Sequence, residues 1–421
     1  MTISILWLGR TMPIPLNAGD RIYSAQLAGA VARQGAHVVF LGLENPDDQT
    51  GSLAELEPKA HWKVVHGAPN ARLPSLLSNL PMVGARFATK HYRKMVEREL
   101  QTGKYDVVLI DQYGMSWAVA CVQQIARNRP ALVHLSHDFE TRVTDQIARN
   151  FAGDFLRKLL LKENARKTRI AEQHIARSSD LLLTLTEEDR TAFNEINPSL
   201  PAIVLPPGYA AAKQRHRVLN KEVPRRAILV GSFNWIAKQM NLERLLEADR
   251  GIFAAHRVEL HVIGTVPEPL LSRLRLRFPW VVFRGFVDDL AKEFRNARIA
   301  LVPEEIGGGF KLKTLDYIFS RVPVAAVDAA LNGIPTQLKN QFIVERGIER
   351  LLATVVTAMD DTERLDLMQN RAFELAEDLF NWNTNAQRFL DKLGSLQVIG
   401  DRRSKNLRPR LNGAHRGISF G

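Results

Sequence analysis

The segment Pro303-Glu304-Glu305-Ile306-Gly307-Gly308-Gly309-Phe310-Lys311-Leu312-Lys313-Thr314-Leu315-Asp316 is the part of the chain best equipped for chemistry. An apolar strand stops at a proline, three glycines follow, and two lysines come next, at a helix expected over 312–319. Glycines at such a bend leave backbone N–H groups uncovered, and a helix N-terminus favours negative charge. Together Gly307, Gly308, Gly309, Lys311 and Lys313 suit a diphosphate, whose charge the dipoles and ammonium groups would neutralise. Asp316 falls a turn later, where it can accept hydrogen bonds from the sugar hydroxyls of a nucleotide. The plainer reading is a flexible loop before an amphipathic helix. This is not a Walker loop, which needs G-K-[ST] in one run.

Three smaller constellations accompany it. Gly231-Ser232-Phe233-Asn234-Trp235-Ile236-Ala237-Lys238 also follows a strand, and Lys238 is either a second cation for the same phosphates or a surface lysine. His137 and Asp138 follow the apolar run 132–135. A histidine there can face a cleft and meet a substrate, or serve as a structural group; His134, inside the run, reads as core. Gly9 and Gly19 stand ten residues apart with Pro13 and Pro15 between them, which is not a G-x-G-x-x-G loop and disfavours a nicotinamide-dependent dehydrogenase. Gly19 opens a helix, where it either admits a ligand to exposed N–H groups or simply caps the turn.

Elements able to hold these loops recur along the chain. Apolar runs at 3–8, 38–43, 107–110, 132–135, 181–185 and 203–205 alternate with helical patterns, and the alternation restarts at 227–230, 258–263, 281–283, 297–302 and 324–327. Such alternation implies parallel sheets with right-handed crossovers. The fold class expected is α/β, with two Rossmann-like, doubly wound parallel-sheet domains facing a cleft, and ligands beyond the carboxyl ends of the strands. The expected organisation is a domain over 1–205, a second over 206–378, a helical segment over 379–400 that crosses back, and a basic, poorly ordered tail over 401–421.

The chain has 421 residues, 57 Lys plus Arg against 45 Asp plus Glu, and a net charge of +12. A single cysteine, Cys121, rules out a disulfide framework and cysteine-rich metal sites, and a reducing, cytoplasmic compartment is expected. The amino terminus reads as a buried strand rather than an export signal, and no apolar run is long enough to span a bilayer. Six basic residues and no acidic one lie between Arg402 and Gly421. Two further stretches are basic: Arg86, Lys90, Arg93, Lys94 and Arg98 in one, and Arg157, Lys158, Lys162, Arg166, Lys167 and Arg169 in the other. The second is mixed with Phe155, Leu156, Leu159, Leu160 and Leu161. It is either a solvated face on a core-packed helix or a surface for anionic lipid headgroups at an inner membrane face. No nucleic-acid-binding pattern accompanies the charge.

Gly231-Ser-Phe-x-Trp, Arg284-Gly-Phe-Val-Asp-Asp-Leu, the segment from Pro303 to Asp316 and Arg321-Val-Pro-Val324 together resemble the GT-B glycosyltransferases of group 1 (GT4-like), a retaining family. The resemblance is weaker in the amino-terminal half. It implies a GT-B fold and transfer of a sugar from a nucleoside diphosphate sugar to a polysaccharide or lipid-linked acceptor. It implies that His137, Lys238 and Lys311 carry the chemistry and that Gly19, Gly231, Gly307, Gly308, Gly309, Lys313 and Asp316 hold the donor. The family's E-x7-E signature places its second acid at Asp316 and its first at Gly308. No D-x-D triplet is present, and no cofactor or metal is expected. A GT-B sugar-nucleotide epimerase and a non-catalytic binding or scaffold protein remain the alternatives.

Overall fold

The computed structural model describes residues 2–44, 52–125 and 128–396. Among the described residues thirteen strands form two sheets, each wholly parallel in its pairings. The first holds β1 (Ser4–Thr11), β2 (His37–Leu43), β3 (His61–Val65), β4 (Val107–Asp111), β5 (Ala131–Ser136), β6 (Leu181–Thr184) and β7 (Ala202–Val204), in the order β3-β2-β1-β4-β5-β6-β7. The second holds β8 (Arg226–Val230), β9 (Glu259–Ile263), β10 (Val281–Gly285), β11 (Ile299–Val302), β12 (Val324–Val327) and β13 (Ile343–Glu345), in the order β10-β9-β8-β11-β12-β13.

Central strands of a parallel sheet are covered by helices on both faces, so they are apolar throughout rather than alternating. Ile5, Leu6, Trp7 and Leu8 of β1 and Ile299, Ala300, Leu301 and Val302 of β11 are all fully buried. In both sheets the strand order reverses beside the first strand, between β1 and β4 and between β8 and β11. A crevice opens at such a reversal, beyond the carboxyl ends of the strands. The loops singled out above leave from these ends. The last described helix, Trp382–Gly394, lies against the helix Gly19–Arg33 that follows β1. There Trp382 meets the Tyr23 ring edge-on at 5.1 Å, and Asn385 donates to the Pro206 carbonyl at 2.5 Å.

The basic stretch 86–98 is two helices, Met82–Phe87 and Lys90–Thr102, broken at Ala88-Thr89 with Thr89 capping the second. The helical stretch 351–393 is parts of three helices, Ile348–Ala358, Thr362–Ala376 and Trp382–Gly394. The helix expected over 312–319 runs Lys313–Phe319, and the glycines before it are not helical: Gly307 and Gly309 have φ of 132° and 61°. The basic tail at 401–421 lies outside the described residues.

Candidate active site

The glycine loop leaves β11 and reaches across to the first half of the molecule. Glu305 and Ile306 both donate their N–H to Asn241 Oδ1 at 3.0 Å, and Asn241 Nδ2 donates to the Ile306 carbonyl at 2.7 Å. This side-chain clamp fixes the loop's root. Gly307 N–H then donates to Gln146 Oε1, on the helix Glu140–Asn150, at 3.0 Å. A Cβ on Gly309 would lie 2.7 Å from the His137 carbonyl oxygen and closer still to Asp138 Oδ1, so only glycine fits there. Gly19 approaches the same loop from a second direction, since a Cβ on it would touch Leu312 at 3.0 Å. Gly307, Gly308, Gly309, Gly19, His137 and Lys311 are therefore neighbours, although nearly 300 residues separate Gly19 from the triglycine.

His137 follows β5 and is buried. Its Nε2 lies 2.7 Å from Asp111 Oδ1 at the end of β4, while Asp111 Oδ2 accepts from Trp7 Nε1 at 2.8 Å. Burial opposes the imidazolium, but Asp111, Asp20 and Asp138 outweigh it and raise the His137 pKa above its ordinary value. The loop that carries His137 is pinned by two more buried acids. Glu172 accepts from Glu140 N at 2.8 Å and Thr141 N at 2.7 Å, and Asp189 accepts from Phe139 N at 3.2 Å. Their side chains satisfy the first N–H groups of the helix, where an acid also complements the helix dipole.

The lysines sit on the other wall. Lys311 Nζ donates to the Gly308 carbonyl and stands 3.5 Å from that of Gly309. Lys313 Nζ is paired with Glu304 Oε1. Lys238 lies near enough to Glu304, Asp20 and Lys311 to feel their charges, and its burial holds its pKa below the lysine range. Burial likewise lowers that of Lys313. Asp316 is further along the same helix; it shares a hydrogen bond with Tyr209, and burial pushes its pKa up to about 6. The Gly231 N–H donates to Ile263 O at 3.0 Å, extending the β8–β9 ladder, so it is not presented to a ligand.

Sequence alone does not mark Asp111, Glu304, Tyr209 and Gln146 as site residues. A charged residue closing an apolar parallel strand was the available signal for Asp111; Tyr209 and Gln146 gave none. A small cavity beside β1 and β4, lined by Arg10, Asp20, Arg21, Asp111 and Gln112, continues the crevice on the first half.

The family described as group 1 glycosyl transferases matches residues 224–361, and the glycosyl transferase 4-like domain matches 19–208. The two together cover more than three quarters of the chain and include both walls of the crevice. This chain belongs to the group 1, GT4-like glycosyltransferases. No curated protein matches it in sequence. Among solved structures, it is similar to sucrose-phosphate synthase from Thermosynechococcus elongatus (TM-score 0.70, 17% identity, covering 94% of this chain and 99% of that one). It is also similar to Anabaena HepE in complex with UDP and glucose (0.62, 16%, 94% and 100%). A third is WaaG, a glycosyltransferase involved in lipopolysaccharide biosynthesis (0.64, 18%, 93% and 100%). At these identities the likeness is one of fold, and the fold is GT-B.

Proposed function

We propose that this glycosyltransferase moves a sugar from a nucleoside diphosphate sugar to an acceptor hydroxyl with retention at the anomeric carbon. The observation that carries the reading is the placing of the triglycine loop and its lysines against the His137–Asp138 loop, at facing strand ends. The bond from the anomeric carbon to the diphosphate oxygen breaks, and its electron pair stays with the diphosphate. The acceptor oxygen bonds to the same face of that carbon, and its proton passes to the departing phosphate. Lys238, Lys311 and Lys313 stabilise the charge that develops there, each such contact being worth about 10²–10³ in rate. His137, held by Asp111, orients the donor sugar. The cations do the work that a metal would otherwise do, so the reaction needs none. UDP bound in the HepE structure supports a nucleotide donor.

The acceptor in this reading is a growing polysaccharide or a lipid-linked sugar at an anionic membrane surface. Among the described residues no helix is long and apolar enough to cross a membrane. The start of the helix Phe155–Ser178, however, leaves Phe155 (82% exposed), Leu156 (65%), Leu159 (53%) and Leu160 (39%) on one uncovered face. Arg157, Lys158 and Lys162 flank it, and each basic group near anionic lipid contributes about 1 kcal/mol. Sedimentation with phosphatidylglycerol vesicles should pellet the protein, and the four-serine variant at these apolar positions should stay in solution. Equal sedimentation of both would remove the membrane from the reading.

Screening nucleotide sugars by thermal shift tests the donor, because a tight ligand raises apparent stability by mass action. The best donor is then incubated with and without acceptor, and the anomer is read by NMR. A product with the donor's configuration is expected. An inverted product would contradict the mechanism, and donor isomerised without any acceptor would identify an epimerase.

A further inference from the structure

On the crevice wall built by the second sheet three ammonium groups, those of Lys238, Lys311 and Lys313, lie near enough to feel one another's charge, an arrangement that like charges resist. Glu304 is the carboxylate set among them. It lies two residues past β11, on a loop root clamped by Asn241, so it cannot drift away. One oxygen, Oε1, is paired with Lys313 Nζ; the other, Oε2, is sealed from solvent and has no hydrogen-bond partner. A buried carboxylate is normally held by N–H or hydroxyl groups. Lys313 and Lys238 both feel the Glu304 charge, as a group kept for its effect on the lysines requires.

We propose that Glu304 is a positioning residue that keeps the Lys313 ammonium charged and in place while the crevice holds no donor. The groups facing Lys313 are Glu304 and Lys311 on its own loop and Lys238 on the helix after β8; those facing Lys238 include Asp20 from the helix after β1. Burial and the two neighbouring lysines favour the neutral amine of Lys313, and Glu304 opposes them. The unoccupied cradle is thus ready for an anion because an internal anion keeps its cation formed. A bound diphosphate brings its own negative charge and makes Glu304 dispensable at that stage. The two situations separate kinetically, since kcat/KM reports the free enzyme and kcat the complex.

This inference rests on the donor reading above. The test compares full-length wild type, Glu304→Gln and Glu304→Asp, each checked for an unchanged melting temperature, in turnover of the screened nucleotide sugar from pH 6 to 9.5. In Glu304→Gln the alkaline limb of kcat/KM should move to lower pH, so that by pH 9 it has fallen about tenfold below wild type. Its kcat at saturating donor should stay within about twofold, and Glu304→Asp should recover most of the limb. Titration with uridine diphosphate should show the same alkaline loss in Kd. A loss equal at every pH in kcat and kcat/KM, an unmoved limb, or tighter diphosphate binding throughout would overturn the proposal, the last marking Glu304 as a competitor. Wild type that neither binds nor turns over a nucleotide sugar would instead defeat the donor reading itself.

Discussion

The two walls of the crevice are held by opposite means. On the first half, His137 is fixed to Asp111, Asp111 to Trp7, and the loop around them to Glu172 and Asp189, all through bonds that a ligand need not disturb. On the second half, Lys311 rests on the carbonyl of Gly308 and Lys313 on the carboxylate of Glu304, contacts that an arriving phosphate would replace or join. One wall is preorganised by a buried network, the other by a cation cluster engaged with its own loop. In the proposed reaction, orientation and charge stabilisation are therefore separable, since they fall to different halves of the chain.

Apart from loss of the lysines, breaking the rigid wall should have the largest effect. Asp111→Asn removes the largest of the charges that together outweigh burial at His137, so turnover should fall about 10²-fold while donor Kd changes little. The same variant tests linkage. The folded pKa of His137 is raised, so its stabilising contribution is complete below the unfolded value of about 6.5 and is lost as pH rises through the folded one. Melting temperature measured against pH should show that alkaline decline in wild type and a flatter curve in Asp111→Asn; identical curves would contradict the assignment.

The contact between the walls comes next. Gly309→Ala faces both a φ of 61° and the His137 carbonyl, and should cost about 2 kcal/mol in chemical denaturation and raise donor KM. Gly308→Ala, with 3.0 Å to Val143 and no positive φ, should cost less; the reverse order would mean that the walls do not meet as described. The smallest effect belongs to the far end of the second wall. Tyr209→Phe removes the hydroxyl bonded to Asp316 and should cost about 1 kcal/mol in stability, with a modest rise in donor KM. No change in either would detach Asp316 from the donor side.

The interior strands were legible because burial on both faces leaves continuous apolar runs. The edge strands β3 and β13 were not: β3 exposes His61 and Lys63, and β13 spans three residues, so neither makes such a run. Within the site, the triglycine is legible as a bend of uncovered backbone; that Gly309 abuts the opposite loop and that the Gly307 N–H is taken by Gln146 are not. The helix after the triglycine begins within one residue of the position the pattern gives, whereas the φ values of the glycines are not readable from sequence. The partners of His137 and Lys313 were hidden for a different reason. Asp111 and Glu304 stand beside them in space but are 26 and 9 residues away in sequence, and no spacing rule joins them. The exposed face at Phe155–Leu160 was ambiguous since the same apolar spacing serves a core, and only packing tells the two apart.

In the proposed reaction, catalysis depends above all on the lysines meeting a diphosphate between the walls. Calorimetric titration of uridine diphosphate into wild type and into the double variant Lys311→Ala/Lys313→Ala tests this directly. Wild type should bind, and the double variant should bind at least about 100-fold more weakly while its melting temperature stays close to wild type. Equal affinity in the two proteins would contradict the account.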